Sequence, residues 1–446
     1  MRHLLSWVTF FFLLSVPNSH AAVFHSQSFT LANGMQIVVV PNTLSDALVQ
    51  MVWYKVGAAD DPSGASGVAH YLEHMMFKRT EKLESGEFSA QIAALGGQNN
   101  AFTGYDTTAY HVSVSAKHLA LVMQMEAERM RSLNPAVAEA VTERNVVLSE
   151  RQERTENNPI GLFYEKLRTT FFAEHPYGRP VIGWRKEIEK LDLENLKVFY
   201  NQFYAPSNAV LVVSGNVNVA DVLRLAAGTF GRLAAGEKRT SLSLPPVMKL
   251  PAKQSIVMRD ARVKQAFWTK QILAPSYREA PQKALATGVL LEILAGGEVG
   301  LLYRHFVMDK KSASGIDARF DSDTRGPSVF SLIAVPSLDN DLAVLAKDIE
   351  AYLHKLAQKG FSQASVDAAK KRFLDSAVFA RDRLMAPAQI LGESLAIGLR
   401  IEDVESWPSH IRAVTPAQID AALRSLLAQK HTVSGMLLPE KEGGAL

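Results

Sequence analysis

The stretch Val68-Ala69-His70-Tyr71-Leu72-Glu73-His74-Met75-Met76-Phe77 decides how this chain is read. A glycine-dotted loop, residues 57–67, leads into it, and Val68, Leu72, Met75, Met76 and Phe77 supply apolar positions for a packed helix. On such a helix residues 70, 73 and 74 share a face, because side chains three and four positions apart are neighbours. Two imidazoles one turn apart can both reach one zinc ion, and a carboxylate beside them can take a proton from metal-bound water. The order is H-x-x-E-H. Short patterns of this kind also occur as plain surface histidines, but the apolar remainder of the segment and its close-packing entry loop favour a metal.

A catalytic zinc needs a third protein ligand and an open position for water. The chain has no cysteine, so the ligand must be His, Asp or Glu, and disulfide scaffolds and thiol catalysis are excluded. Residues 135–156 read as a long helix that stops before Asn157-Asn158-Pro159 and carries Glu139, Glu143, Glu150 and Glu153. Glu143 and Glu150 are seven apart and lie on nearly the same face. Spacing alone does not choose among the four, and glutamates interleaved with Arg144, Arg151 and Arg154 more commonly form a salt-bridged surface.

Outward from these helices, Asn33-Gly34 reads as a hairpin turn before a β-rich run at 36–40, and 47–56 and 111–115 read as strands. Residues 119–131 read as helix, and 208–217 as a short buried strand. Strands and helices mix without regular alternation, which predicts α+β layers, each a mostly antiparallel sheet covered by helices. Residues 236–253, with Lys, Ser and the breakers Pro245-Pro246 and Pro251, read as a linker between segments of similar length. The segments echo each other. SGNV at 214–217 has a counterpart in SGML at 434–437, and laying Pro159 on Pro387 sets Glu143 on Lys371 and Glu150 on Val378. The reading is a duplication in which only the first copy, 22–235, keeps the acidic residues, while the second, 254–446, is inactive.

With 446 residues, 47% hydrophobic and 21% charged, the chain can bury a large core divided into two or three domains. Its formal net charge of +3 offers no basic stripe, so nucleic acid is not an expected partner. Residues 1–21 read as a signal peptide: Arg2, an apolar run at 4–16 too short for the ~20 residues of a membrane span, then small residues at Ser19, Ala21 and Ala22. The expected location is outside the inner membrane, in a bacterial periplasm, without a stable membrane anchor.

HYLEHMMF (70–77), NNAFTGYDTTAYHVSV (99–114), ERNVVLSERQE (143–153), HPYGRPVIG (175–183) and YAPSNAVLVVSGNV (204–217) together closely resemble the pitrilysin-like zinc peptidases, the family of pitrilysin, insulin-degrading enzyme and mitochondrial processing peptidase. The resemblance implies two homologous pitrilysin-like domains and one Zn2+ per chain, held by His70, His74 and Glu150. It implies Glu73 as the general base that activates water, and Glu143 as a further acidic residue supporting a ligand histidine. It also implies that Asn100, Ala101 and Phe102 lie on an edge strand that receives peptide substrate by backbone hydrogen bonds. The activity implied is zinc endopeptidase; the alternative is a peptide-holding scaffold of the same fold, although such chains typically lose motif residues. Many relatives carry a substrate-holding Arg and Tyr in the second half, where this chain has Leu301 and Ser314, with Tyr303 and Arg304 out of register. The departure implies a homologous non-zinc subunit that supplies the pair in a heterodimer; a homodimer is the other arrangement.

The exported protein should begin at Ala22 or Val23, which N-terminal sequencing of the native protein checks; Met1 would refute processing.

Overall fold

The computed structural model describes residues 22–237, 239, 242–247, 253–338 and 340–440. The segment read as a signal peptide, 1–21, lies outside the described residues.

In the first half, β1 (Gln27–Thr30) and β2 (Gln36–Pro41) form the hairpin around Asn33-Gly34. There follow β3 (Ala47–Tyr54), α1 (Val68–Met75), α2 (Glu87–Ala94), β4 (Gln98–Thr103), β5 (Thr108–Ser115), α3 (Leu119–Arg131), α4 (Val137–Arg151), α5 (Pro159–Phe172) and β6 (Ala209–Gly215). The six strands are ordered β1-β2-β6-β3-β5-β4, antiparallel except for β2 beside β6. All seven residues of β6 are buried, as an unbroken apolar run in mid-sheet requires.

The second half builds β7 (Gln254–Asp260), β8 (Phe267–Ala274), β9 (Ala313–Phe320), β10 (Ser328–Pro336) and β11 (Thr432–Pro439), ordered β7-β11-β8-β10-β9. Here too one pair, β7 with β11, is parallel and the rest antiparallel. The order matches β2-β6-β3-β5-β4 strand for strand, so the chain is two α+β domains of one topology, each sheet covered by helices.

The two domains exchange helices. Helix Ala386–Ala396 of the second half lays Ala388, Leu391 and Leu395 on Val38, Met51, Trp53 and Val212 of the first sheet. A side chain at Gly392 would collide with Trp53, since its Cβ would sit 2.0 Å from Nε1, so this crossing needs glycine. In return, α5 sets Phe163, Leu167 and Phe171 against Ile256, Val433 and Leu437 of the second sheet. Both exchanged helices carry a proline in their first turn, Pro159 and Pro387, where the missing N–H costs no helical bond.

Two local readings shift. The helix expected over 135–156 ends at Arg151, and Gln152–Glu156 form a turn of wider π geometry. The described part of 236–253 is docked: Arg239 bridges to Asp60, Leu242 O accepts from Arg278 Nη1, and Leu244 joins the core between the halves.

Because Phe163 is fully buried where the halves meet, Phe163→Ala should cost about 3–5 kcal/mol of stability, read by urea denaturation. A loss below about 1 kcal/mol would mean the exchanged helices contribute little.

Candidate metal centre

α1 starts at Gly67, whose φ of +89° and missing Cβ let the Ile182 carbonyl approach; a Cβ there would lie 2.4 Å from that oxygen. The Asp61 carboxylate accepts from the backbone N–H of Gly67 (2.7 Å) and Ala69 (3.0 Å), filling donors that the first turn leaves open. Burial pushes the Asp61 carboxyl up to about 8, against the pull of those two bonds and of Arg179. Val68, Leu72, Met75 and Met76 are buried in the first core, and the Tyr71 hydroxyl donates to Ala140 O, pinning α1 to α4.

This packing turns His70 and His74 toward α4 and Glu73 toward β4. The Glu150 Oε2 atom lies 3.8 Å from His70 Nε2 and 3.3 Å from His74 Nε2, and the three ligand atoms all lie within 4.8 Å of one another. Ligands of a tetrahedral zinc at ~2.0–2.1 Å stand about 3.4 Å apart, so these atoms need little movement to share one ion. His70 Nδ1 is buried without a protein hydrogen-bond partner. His74 Nδ1 meets Glu143 Oε1 at 2.9 Å, and Glu143 Oε2 meets Lys78 Nζ at 2.6 Å. Glu143 therefore holds the far nitrogen of His74 and leaves Nε2 facing Glu150.

The electrostatics agree with a cation site. Burial, then the neighbouring His74, pushes His70 down to about 4, which keeps it in the neutral form that coordinates metals. For His74, burial also opposes charge, but hydrogen bonds to Glu143 and Glu150 outweigh it and raise the group to about 9. Two carboxylates that favour a proton there also favour a divalent cation. The hydrogen bond to His74 is in turn the largest reason that Glu143 and Glu150 lie below the usual carboxyl range. Two neutral-capable imidazoles and one carboxylate form a donor set that suits zinc.

Glu73 is buried, and its Oε2 accepts from Thr103 Oγ1 at 2.6 Å. Burial raises its pKa, partly offset by that bond, which moves a carboxylate toward the range where it can accept a proton near neutrality. His70, Glu73, His74 and Glu150 open on one cavity of about 680 Å³ that β4 also lines. β4 is the last strand of its sheet, so among the described strands one side of its backbone is unpaired. Ala101 packs on the core beneath α1, whereas Phe102 faces away, its ring 5.3 Å from Trp53, and Asn100 Oδ1 accepts from Ala101 N.

Sequence reasoning passed over Thr103 and Lys78. Both carried a signal: the period of two places Thr103 on the Ala101 face of β4, and Lys78 follows His74 by four residues. The wider turn after Glu150 also went unread, although irregular turns of this kind gather at functional sites.

Two family profiles match the chain: insulinase (peptidase family M16) over residues 37–184, and peptidase M16 inactive domain over 190–373. Zinc protease PqqE of Helicobacter pylori is 34% identical over 350 residues, 77% of each chain. The chain belongs to peptidase family M16. Its fold matches a crystal structure of a protease from Helicobacter pylori at a TM-score of 0.86 and 27% identity, covering 94% of this chain and 100% of that one. The periplasmic protease PqqL of Escherichia coli shares the fold at a TM-score of 0.78 and 19% identity, covering 92% of this chain but 47% of that one. The inactive-domain match begins within the first half, takes in β6, and in the second half reaches Lys371 but ends before Val378. The zinc-protease relatives imply zinc, and His70, His74 and Glu150 could bind it.

Glu150→Gln should abolish stoichiometric zinc binding, whereas Glu143→Gln should keep zinc with affinity lower by roughly 10–100-fold, as measured by competition with a chelating dye. The opposite order would exchange the two roles.

Proposed function

We propose that this M16 chain is an exported zinc endopeptidase that cleaves peptides or unfolded segments, with catalysis in residues 22–235. The observation that carries the reading is the convergence of His70 Nε2, His74 Nε2 and Glu150 Oε2 beside the buried Glu73, all opening on a cavity walled by an edge strand. In this account His70, His74 and Glu150 hold one Zn2+, which when bound polarises the scissile carbonyl and acidifies water. Glu73, held in place by the Thr103 hydroxyl, would accept the proton of the attacking water at its carboxylate and hand it to the leaving amine. Glu143 fixes the tautomer and ring orientation of His74. Substrate adds as a strand alongside Asn100, Ala101 and Phe102, a mode in which main-chain hydrogen bonds give affinity and sequence matters less.

Location and assembly belong to the same proposal. The segment 1–21 directs export to the periplasm, and among the described residues no helix is long and apolar enough to cross a membrane. Leu301 opens a short helix, and Ser314 spends its hydroxyl on Pro336 O at 3.1 Å, so neither offers a cation or a phenol to substrate. A homologous partner carrying that Arg and Tyr would complete the chamber. PqqL, about twice the matched length, is consistent with two such units facing each other.

Glu73→Gln should retain about one zinc per chain and lose at least about 1,000-fold in peptide cleavage, since the amide keeps the shape without the base. Cleavage of a quenched fluorescent peptide, run with the chain alone and with a homologous partner, checks this. Turnover near the wild-type rate in Glu73→Gln would require another base.

A further inference from the structure

The second half lacks the acidic metal positions, yet it reaches the first half's site through one side chain. Arg325, in the loop between β9 and β10, has a side chain with no solvent exposure. Its Nε lies 2.9 Å from Asp106 Oδ1, and its backbone N–H donates to Asp106 Oδ2 at 2.9 Å. Its Nη1 donates to Asp60 Oδ1 at 3.1 Å, while Nη2 lies 3.0 Å from Asp60 Oδ2 as an ion pair without hydrogen-bond geometry. The Tyr177 hydroxyl closes the joint, donating to Asp106 Oδ2 (2.6 Å) and accepting from Gly326 N (3.0 Å).

The two aspartates belong to segments that flank opposite sides of the metal centre. Asp60 precedes Asp61, the residue that caps α1 and so sets where His70 and His74 begin. Asp106 stands three residues beyond Thr103, the donor to Glu73 at the end of the edge strand. The segments also pair directly, Ala58 N with Gly104 O at 3.0 Å and Ala59 N with Tyr105 O at 2.8 Å. A planar guanidinium that binds two carboxylates at once fixes their separation and their mutual orientation, which a single point charge does not.

We propose that Arg325 is a positioning residue for the metal centre: by bridging Asp60 and Asp106 it sets the spacing between α1 and β4, so the inactive half governs turnover in the active half. The proposal rests on the peptidase reading of the site. Without the guanidinium, Asp60 keeps Arg239, Asp106 keeps Tyr177 and the Ala58–Gly104 and Ala59–Tyr105 backbone bonds remain, so the segments stay folded and paired but lose the charged clamp that holds that pairing at one spacing. A displacement of about 1 Å between substrate and base can cost about 100-fold in rate.

The test compares full-length Arg325→Met, Arg325→Lys and Asp106→Asn with wild type and with Leu353→Ala, a destabilising change in the second core away from this joint. Bound zinc, kcat, KM and hydrogen exchange of the amides at 67–74 and 98–103 are measured well below every Tm. Arg325→Met should keep about one zinc per chain, lose about 10–100-fold in kcat and exchange faster in both segments, and Asp106→Asn should follow it. Arg325→Lys should recover part of kcat, and Leu353→Ala should change neither kcat nor exchange at those amides. Wild-type kcat and wild-type exchange in Arg325→Met would overturn the proposal, as would an equal loss in Leu353→Ala. Should Arg325→Met fail to fold, Asp106→Asn decides on the same readouts. If wild type cleaves no peptide even with a homologous partner added, the peptidase reading falls, and the exchange of the two segments alone decides whether Arg325 sets their spacing.

Discussion

Everything at this site depends on α1 lying close enough to α4 for two imidazoles from one helix to meet a carboxylate from the other. Several contacts enforce that approach: the bare Gly67 under Ile182, the Asp61 cap on the first turn, and the Tyr71 hydroxyl on Ala140 O. Each is a short-range constraint on backbone position, and a metal site tolerates little error in ligand spacing. Close packing transmits such constraints, because a buried helix cannot shift without opening a void beside Leu72 or Met75.

The duplicated architecture supplies the rigid frame. A sheet with one uncovered apolar face would be unstable, and each half solves this by borrowing a helix from the other. Among the described residues the cluster that could hold a metal lies in the first half, and the second half covers the back of the first sheet at Trp53 and buries Arg325 beside the segments that frame the cavity.

Much of the site was legible because it is local. His70, Glu73 and His74 are separated by three and four residues, and helical geometry alone puts them on one face. The choice between Glu143 and Glu150 was not legible from spacing, since a period of 3.6 sets them on nearly the same face. What separates them is which nitrogen of His74 each meets, Nδ1 or Nε2, and only tertiary placement of α1 decides that. The edge position of β4 could be expected from resemblance but not from its composition. The Arg325 joint was invisible: its partners Asp106 and Asp60 stand 219 and 265 residues away, and a lone arginine in a loop carries no pattern. Of the second half's sheet only SGML at 434–437, within β11, was legible, as an echo of SGNV, because strand order depends on pairings between residues far apart in the chain.

The central claim is that one zinc is held by two imidazoles and one carboxylate with a position left for water. X-ray absorption at the zinc edge of the reconstituted chain tests it most directly. The account predicts a four-coordinate shell of nitrogen and oxygen at about 2.0–2.1 Å, with the outer-shell scattering of two imidazoles. A six-coordinate oxygen shell, or scattering from fewer than two imidazoles, would contradict it.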